Sequence, residues 1–100
     1  MTVQSILRPR NGQTVSFDDT AGGEKNATAF ASPQIGLYAD QACYIKLGDS
    51  DVTVSAEDYD MKLQAGTMTS METGGYKYIA VLQVTASGTL DINEWTHRND

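Results

Sequence analysis

Over much of this chain, apolar residues recur at every second position. Ile35, Leu37 and Ala39 alternate with Gly36, Tyr38 and Asp40, and Cys43, Ile45 and Leu47 alternate with Tyr44 and Lys46. Successive side chains of a β-strand point to opposite faces, so a period of two marks strands with one face turned to a core. Gly48, Asp49, Ser50 and Asp51 form a turn cluster, followed by a short strand at Val52, Thr53 and Val54 and a polar break at Ala56, Glu57 and Asp58. Met61 and Leu63 continue the alternation up to Ala65-Gly66, and residues 67–72 run on to a Gly74-Gly75 turn. Residues 76–85 are the longest apolar stretch, with Tyr76, Tyr78, Ala80, Leu82 and Val84 on one face and Ile79 and Val81 on the other. A strand apolar on both faces belongs in the middle of a sheet. Ser87-Gly88 then turns into Leu90 and Ile92, which alternate with Asp91 and Asn93 ahead of Trp95 and a polar tail.

The first third is patterned differently. Residues 2–8 are rich in Val, Ile and Leu and stop at Pro9, which has no N–H for a ladder, so they read as a short strand or arm. Asn11-Gly12 suits the positive φ angles of a tight turn, and Val15 and Phe17 share a face beyond it, which predicts a hairpin. Residues 18–31 hold Asp18, Asp19, Gly22, Gly23 and the small run Ala27, Thr28, Ala29, and read as a loop. Only residues 55–59 leave room for a helical turn. The chain is therefore expected to be all-β, a small antiparallel β-sandwich or barrel of jelly-roll or immunoglobulin-like size with an extended N-terminal arm. One domain is expected, with an arm, hairpin and loop over residues 1–33, a sandwich core over 34–96 and a frayed tail over 97–100.

Composition narrows the partners. With 40% hydrophobic and 20% charged residues, these 100 residues are those of a folded domain. A net charge of -6 and a pI near 4.5 oppose binding to a phosphate backbone, so no nucleic-acid partner is expected. Arg8 and Arg10 are a local exception, able to reach an acidic neighbouring subunit. No apolar run approaches the roughly 20 residues of a membrane span, and no signal sequence is evident. Cys43 is the sole cysteine, so no internal disulfide can form, and in a strand it packs as a small hydrophobe.

The candidate chemistry is sparse. The only histidine, His97, sits in the polar tail, so neither a Ser-His-Asp arrangement nor a zinc site of His and Cys ligands can be assembled. Asp19-Thr20-Ala21-Gly22 is similar to the Asp-Thr-Gly-Ala of retroviral-type aspartic proteases, which are dimers of chains about this long. Ala21 stands where the glycine is required, however, and no hydrophobic strand follows. The acidic loops at Asp49, Ser50, Asp51 and at Glu57, Asp58, Tyr59, Asp60 offer oxygen ligands to calcium. Counted from Asp49 as an EF-hand, Val54 replaces the sixth-position glycine and Asp60 the twelfth-position glutamate. Asn26-Ala27-Thr28 matches a glycosylation pattern without a secretory signal, and Gly22-Gly23 and Gly74-Gly75 lack the lysine of a phosphate loop. The five tyrosines and Trp95 are assigned to core and cross-strand packing before ligand stacking. No catalytic, cofactor or metal site is expected, and no enzyme.

Tyr38-Ala39-Asp40-Gln41-Ala42, Tyr44-Ile45-Lys46-Leu47-Gly48-Asp49, Leu63-Gln64-Ala65-Gly66, Tyr78-Ile79-Ala80-Val81-Leu82 and Ser87-Gly88-Thr89-Leu90-Asp91-Ile92 follow one another in a layout that resembles the small β-sandwich virion proteins of tailed bacteriophages. These proteins serve as capsid decoration, cement or head-tail accessory subunits. The resemblance covers residues 34–95. It implies a structural protein of the virion, assembled in the host cytoplasm, that stabilises the head by binding at junctions between major capsid subunits. It also implies neighbouring virion subunits as partners and a homo-oligomer, a trimer before other states. The interface residues then expected are Ile6, Leu7, Arg8 and Arg10 of the arm, and Trp95. A head-tail connector or tail accessory role, and a non-enzymatic carbohydrate- or calcium-binding module, are the alternatives.

Overall fold

The computed structural model describes residues 7–97, and these form eight strands: β1 (Leu7–Phe17), β2 (Glu24–Lys25), β3 (Gln34–Ala39), β4 (Cys43–Gly48), β5 (Met61–Leu63), β6 (Met68–Glu72), β7 (Tyr78–Gln83) and β8 (Gly88–His97). They make two four-stranded antiparallel sheets, ordered β1-β8-β3-β6 and β2-β7-β4-β5. Packed face to face they are a small β-sandwich. The period-two residues fill the space between the sheets: Ile35, Leu37, Ala39, Leu90 and Ile92 from one, Cys43, Ile45, Leu63, Ile79 and Val81 from the other. Each large aliphatic side chain removed from water here contributes about 1.5–3 kcal/mol. The apolar segment at 78–83 occupies an interior position of its sheet, as its two apolar faces predict.

The first third departs from expectation. Asn11-Gly12 does not turn the chain back. Arg10 pairs with Glu94 and Gln13 with Ile92, so Asn11 and Gly12 together face the single residue Asn93 as a bulge inside one continuous strand. Asn11 has φ 55°, a left-handed conformation that asparagine tolerates and that a bulge requires as readily as a hairpin does. Both halves of β1 pair with β8, residues 7–10 with 94–97 and residues 13–17 with 88–92, so the second half runs on along the same partner and does not fold back on the first. The expected core boundary at residue 34 moves as well, because Val15, Phe17 and Phe30 are all buried in the central cluster.

Residues 18–31 are held down despite their small side chains. Buried Asn26 accepts from the Ile79 N–H at 2.8 Å and donates to the Thr28 carbonyl at 2.7 Å, so its amide is committed to the fold. Gly23, at φ 80°, lies so close to β7 that a Cβ would sit 2.7 Å from the Val81 carbonyl oxygen. Residues 52–54 make only an isolated bridge, Val54 to Gly22. Residues 55–59 form a turn closed by reciprocal bonds between Ser55 and Asp58 rather than a helical turn.

The tyrosines are not core residues. Tyr38, Tyr59 and Tyr76 are exposed, Tyr44 and Tyr78 half-buried, and the buried aromatics are Phe17 and Phe30. Inner positions are taken by aliphatic side chains and by the two phenylalanines, which have no hydroxyl to satisfy, and this leaves the outer faces to the tyrosines. Tyr44 and Tyr59 meet there at 4.7 Å between centroids, with Lys62 Nζ 5.8 Å above Tyr44.

Candidate binding face

The outward residues of the β1-β8-β3-β6 sheet form three rows across the strands. The first holds Glu72, Gln34, Trp95 and Pro9, the second Ser70, Gly36 and Asn93, and the third Met68, Tyr38, Asp91 and Thr14. The middle row carries no side chain at Gly36. The Trp95 ring leans from the first row across this gap, and its Nε1 donates to Ser70 Oγ at 3.2 Å. A Cβ at position 36 would lie 2.9 Å from Trp95 Nε1 and 2.7 Å from Asn93 Oδ1, so only glycine admits this arrangement. Beside the indole runs a groove of about 380 Å³ lined by Gln34, Ser70, Met71, Glu72 and Trp95. A second depression, about 360 Å³, shares Gln34 and Trp95 and is completed by Arg10, Ser32, Pro33 and Thr96 among others.

The bulge decides which residues of β1 reach this end. Direct partners across a ladder share a face. Pro9 therefore stands beside Trp95 on the outside, while Arg10, opposite Glu94, emerges on the inner side at the rim. Of the expected interface residues, Arg10 and Trp95 line one depression. Arg8 is exposed one step further along β1, opposite Thr96. Leu7 enters through its backbone pairing with His97, and Ile6 lies outside the described residues.

Behind the face, Glu94 is 1% exposed. One oxygen, Oε1, accepts from the N–H groups of Ala31 (2.9 Å) and Ser32 (2.7 Å), which pins the segment before Pro33 against the sheet. Asn93 Nδ2, by contrast, is buried without a hydrogen-bond partner. An unmet buried donor costs about 1–3 kcal/mol, and such departures from satisfied packing tend to gather where a surface serves a function besides stability.

Neither Gly36 nor Glu94 stood out in the pattern of the chain. A glycine inside a strand is the sequence sign of close approach by another group, and Glu94 falls in the inward phase of Leu90 and Ile92, so both signals were present. What the chain order conceals is that Trp95 and Arg10 are neighbours.

Asp58 and Asp60 of the acidic loops are tied into the fold. Asp58 meets Lys46 Nζ at 2.7 Å, Asp60 accepts from the Leu47 N–H at 2.9 Å, and among the described residues no three His, Cys, Asp or Glu side chains are grouped to hold a metal ion. The Thr20 hydroxyl and N–H hold the Asp18 carboxyl below its ordinary range. Cys43 is fully buried, and burial, with the charge of Asp40 adding to it, pushes its thiol up to about 12. A thiol so disfavoured as thiolate is a poor nucleophile. Comparison with protein-family models, curated proteins and solved structures found no match.

Proposed function

We propose that this chain is a non-enzymatic structural protein of a phage virion, a decoration or cement subunit that stabilises the head by binding at junctions between major capsid subunits. The observation that carries the reading is the end of the sandwich where Trp95, reaching across Gly36 to Ser70, adjoins Pro9, Gln34 and Arg10. Tryptophan and arginine set beside shallow depressions are the residue types that anchor protein interfaces. Arg8 and Arg10 add positive charge to an acidic chain, so an acidic rim on a shell subunit complements this end. Burial repeated at many equivalent sites adds about 25 cal/mol per apolar Å², so a shell gains stability from contacts that are individually weak.

The test is cosedimentation of the purified protein with empty phage shells that lack it. Saturable binding is expected, and Trp95→Ala or Arg10→Glu should each weaken it at least about tenfold while leaving the melting transition in place. A well-folded protein that ignores the shells would overturn the reading. The groove beside Trp95 favours one second reading, a carbohydrate-binding module with a sugar ring stacked on the indole. Binding on a glycan array that Trp95→Ala removes would select it.

A further inference from the structure

Four strands form the edges of the two sheets: β1 and β6 of one, β2 and β5 of the other. An edge strand displays unpaired N–H and C=O groups, and folded proteins blunt such edges with proline, charged side chains (lysine above all), bulges or short length. β1 carries Arg8, Pro9, Arg10 and the bulge at Asn11 and Gly12. β2 is two residues long and includes Lys25, and β5 is three residues long and includes Lys62. β6 has no proline, no basic residue and no bulge, and its one charge, Glu72, stands at its end. Its five residues, Met68, Thr69, Ser70, Met71 and Glu72, pair with β3 in unbroken register, and among the described residues β3 is its only strand neighbour. Met68 is 54% exposed, Ser70 and Glu72 are exposed, and Thr69 and Met71 are half-buried at the rim of the core.

We propose that β6 pairs antiparallel with β6 of a second copy about a twofold axis at Ser70, joining the two four-stranded sheets into one of eight strands. Full pairing of the strand and its one charge together select this centre, since an axis at Thr69 or Met68 leaves Met71 and Glu72 unpaired and an axis beyond Ser70 brings the carboxylates together. Glu72 is its only charged residue. With the axis at Ser70, all five residues are paired, Glu72 of each copy lies opposite Met68 of the other, and the two carboxylates are about 13 Å apart along the strands, beyond the screening length at physiological salt. Moving the axis to Met71 brings the carboxylates within two residues of each other, and moving it to Glu72 sets them face to face. At the axis the small Ser70 side chain faces its own copy, and Thr69 faces Met71 across the rim, where both lose exposure together. The contact is isologous and closes after two copies. It therefore yields pairs where the family resemblance implies trimers, and it stands without the shell reading, since it is tested on the protein alone.

The experiment is light scattering over a concentration series on the full chain and on Met68→Lys, Met68→Glu and the double variant Met68→Glu with Glu72→Lys. A dimer is expected. Met68→Lys should tighten it about fivefold, because a favourable cross-strand charge pair is made twice per dimer. Met68→Glu should loosen it by a similar factor, and adding Glu72→Lys should restore it. The Ser70→Cys variant should form an intermolecular disulfide under mild oxidation, since a residue on the axis faces itself within bonding reach, whereas Glu72→Cys should not. Cys43, buried with a raised thiol, leaves the introduced cysteine as the reactive one. Melting transitions near that of the parent chain establish that the variants are folded, as expected for positions so exposed. A monomer at every concentration, an oligomer indifferent to charge at 68 and 72, or equal crosslinking through both cysteine variants would overturn the proposal.

Discussion

Two buried groups set the chemistry of the interior one residue at a time. Cys43 has its thiol raised from 9.0 to about 12 by burial and by Asp40. Above the unfolded value the unfolded chain releases a proton that the folded chain retains, so stability is complete below about 9 and is lost as the pH rises toward 12. Urea midpoints across that window should fall for the parent chain and fall less steeply for Cys43→Ala, whose cavity lowers stability at every pH alike. Glu94 is the second group. Glu94→Ala strands the N–H groups of Ala31 and Ser32 and should cost about 3 kcal/mol by denaturant unfolding. Glu94→Gln should cost much less, because both N–H groups donate to one oxygen and an amide carbonyl can accept both.

At the scale of elements, the outer face depends on what strands leave out and put in. Gly36 leaves out a side chain so that Trp95 can lie across β3. In Gly36→Ala the new methyl meets Asn93 and Trp95 and drives the indole outward, breaking its bond to Ser70. Fluorescence of the single tryptophan should shift to longer wavelength, and an unchanged spectrum would refute this account of the face. The bulge puts in one extra residue. Without it, a straight register from Gln13 would set Arg10 opposite Trp95 and send both arginines of β1 to the outer side. Asn11-Gly12 was legible as a site of positive φ, but a hairpin and a bulge share that local chemistry. The choice between them was made by β8, some eighty residues away in the chain.

At the scale of the molecule, the first and last strands pair along nearly their whole length, so this sheet is complete only when both ends of the described chain are in place. Contacts between such distant segments make folding slow, in the millisecond-to-second range typical of β-sandwiches. Truncation after Asn93 removes Glu94, Trp95 and Thr96, the partners of Arg10, Pro9 and Arg8, and takes Trp95 and Glu94 from Gln34 and Ile35 as well. That truncated chain should lose its cooperative unfolding transition by circular dichroism. No disulfide is available to compensate, since Cys43 has no partner.

The all-β class, most of the strands from residue 34 onward, their inward faces and the burial of Cys43 are legible in the order of the residues. Each of these follows from a period of two or from turn residues that act within a few positions. It took the folded arrangement to make Asn11-Gly12 a bulge, to anchor an apparent loop through Phe30 and Asn26, to bring Arg10 and Trp95 to one depression, and to put β6 at an edge of its sheet. Those outcomes depend on which strands become neighbours, and neighbours are chosen by the closing of the whole sheet, which leaves no local trace in the order of the residues.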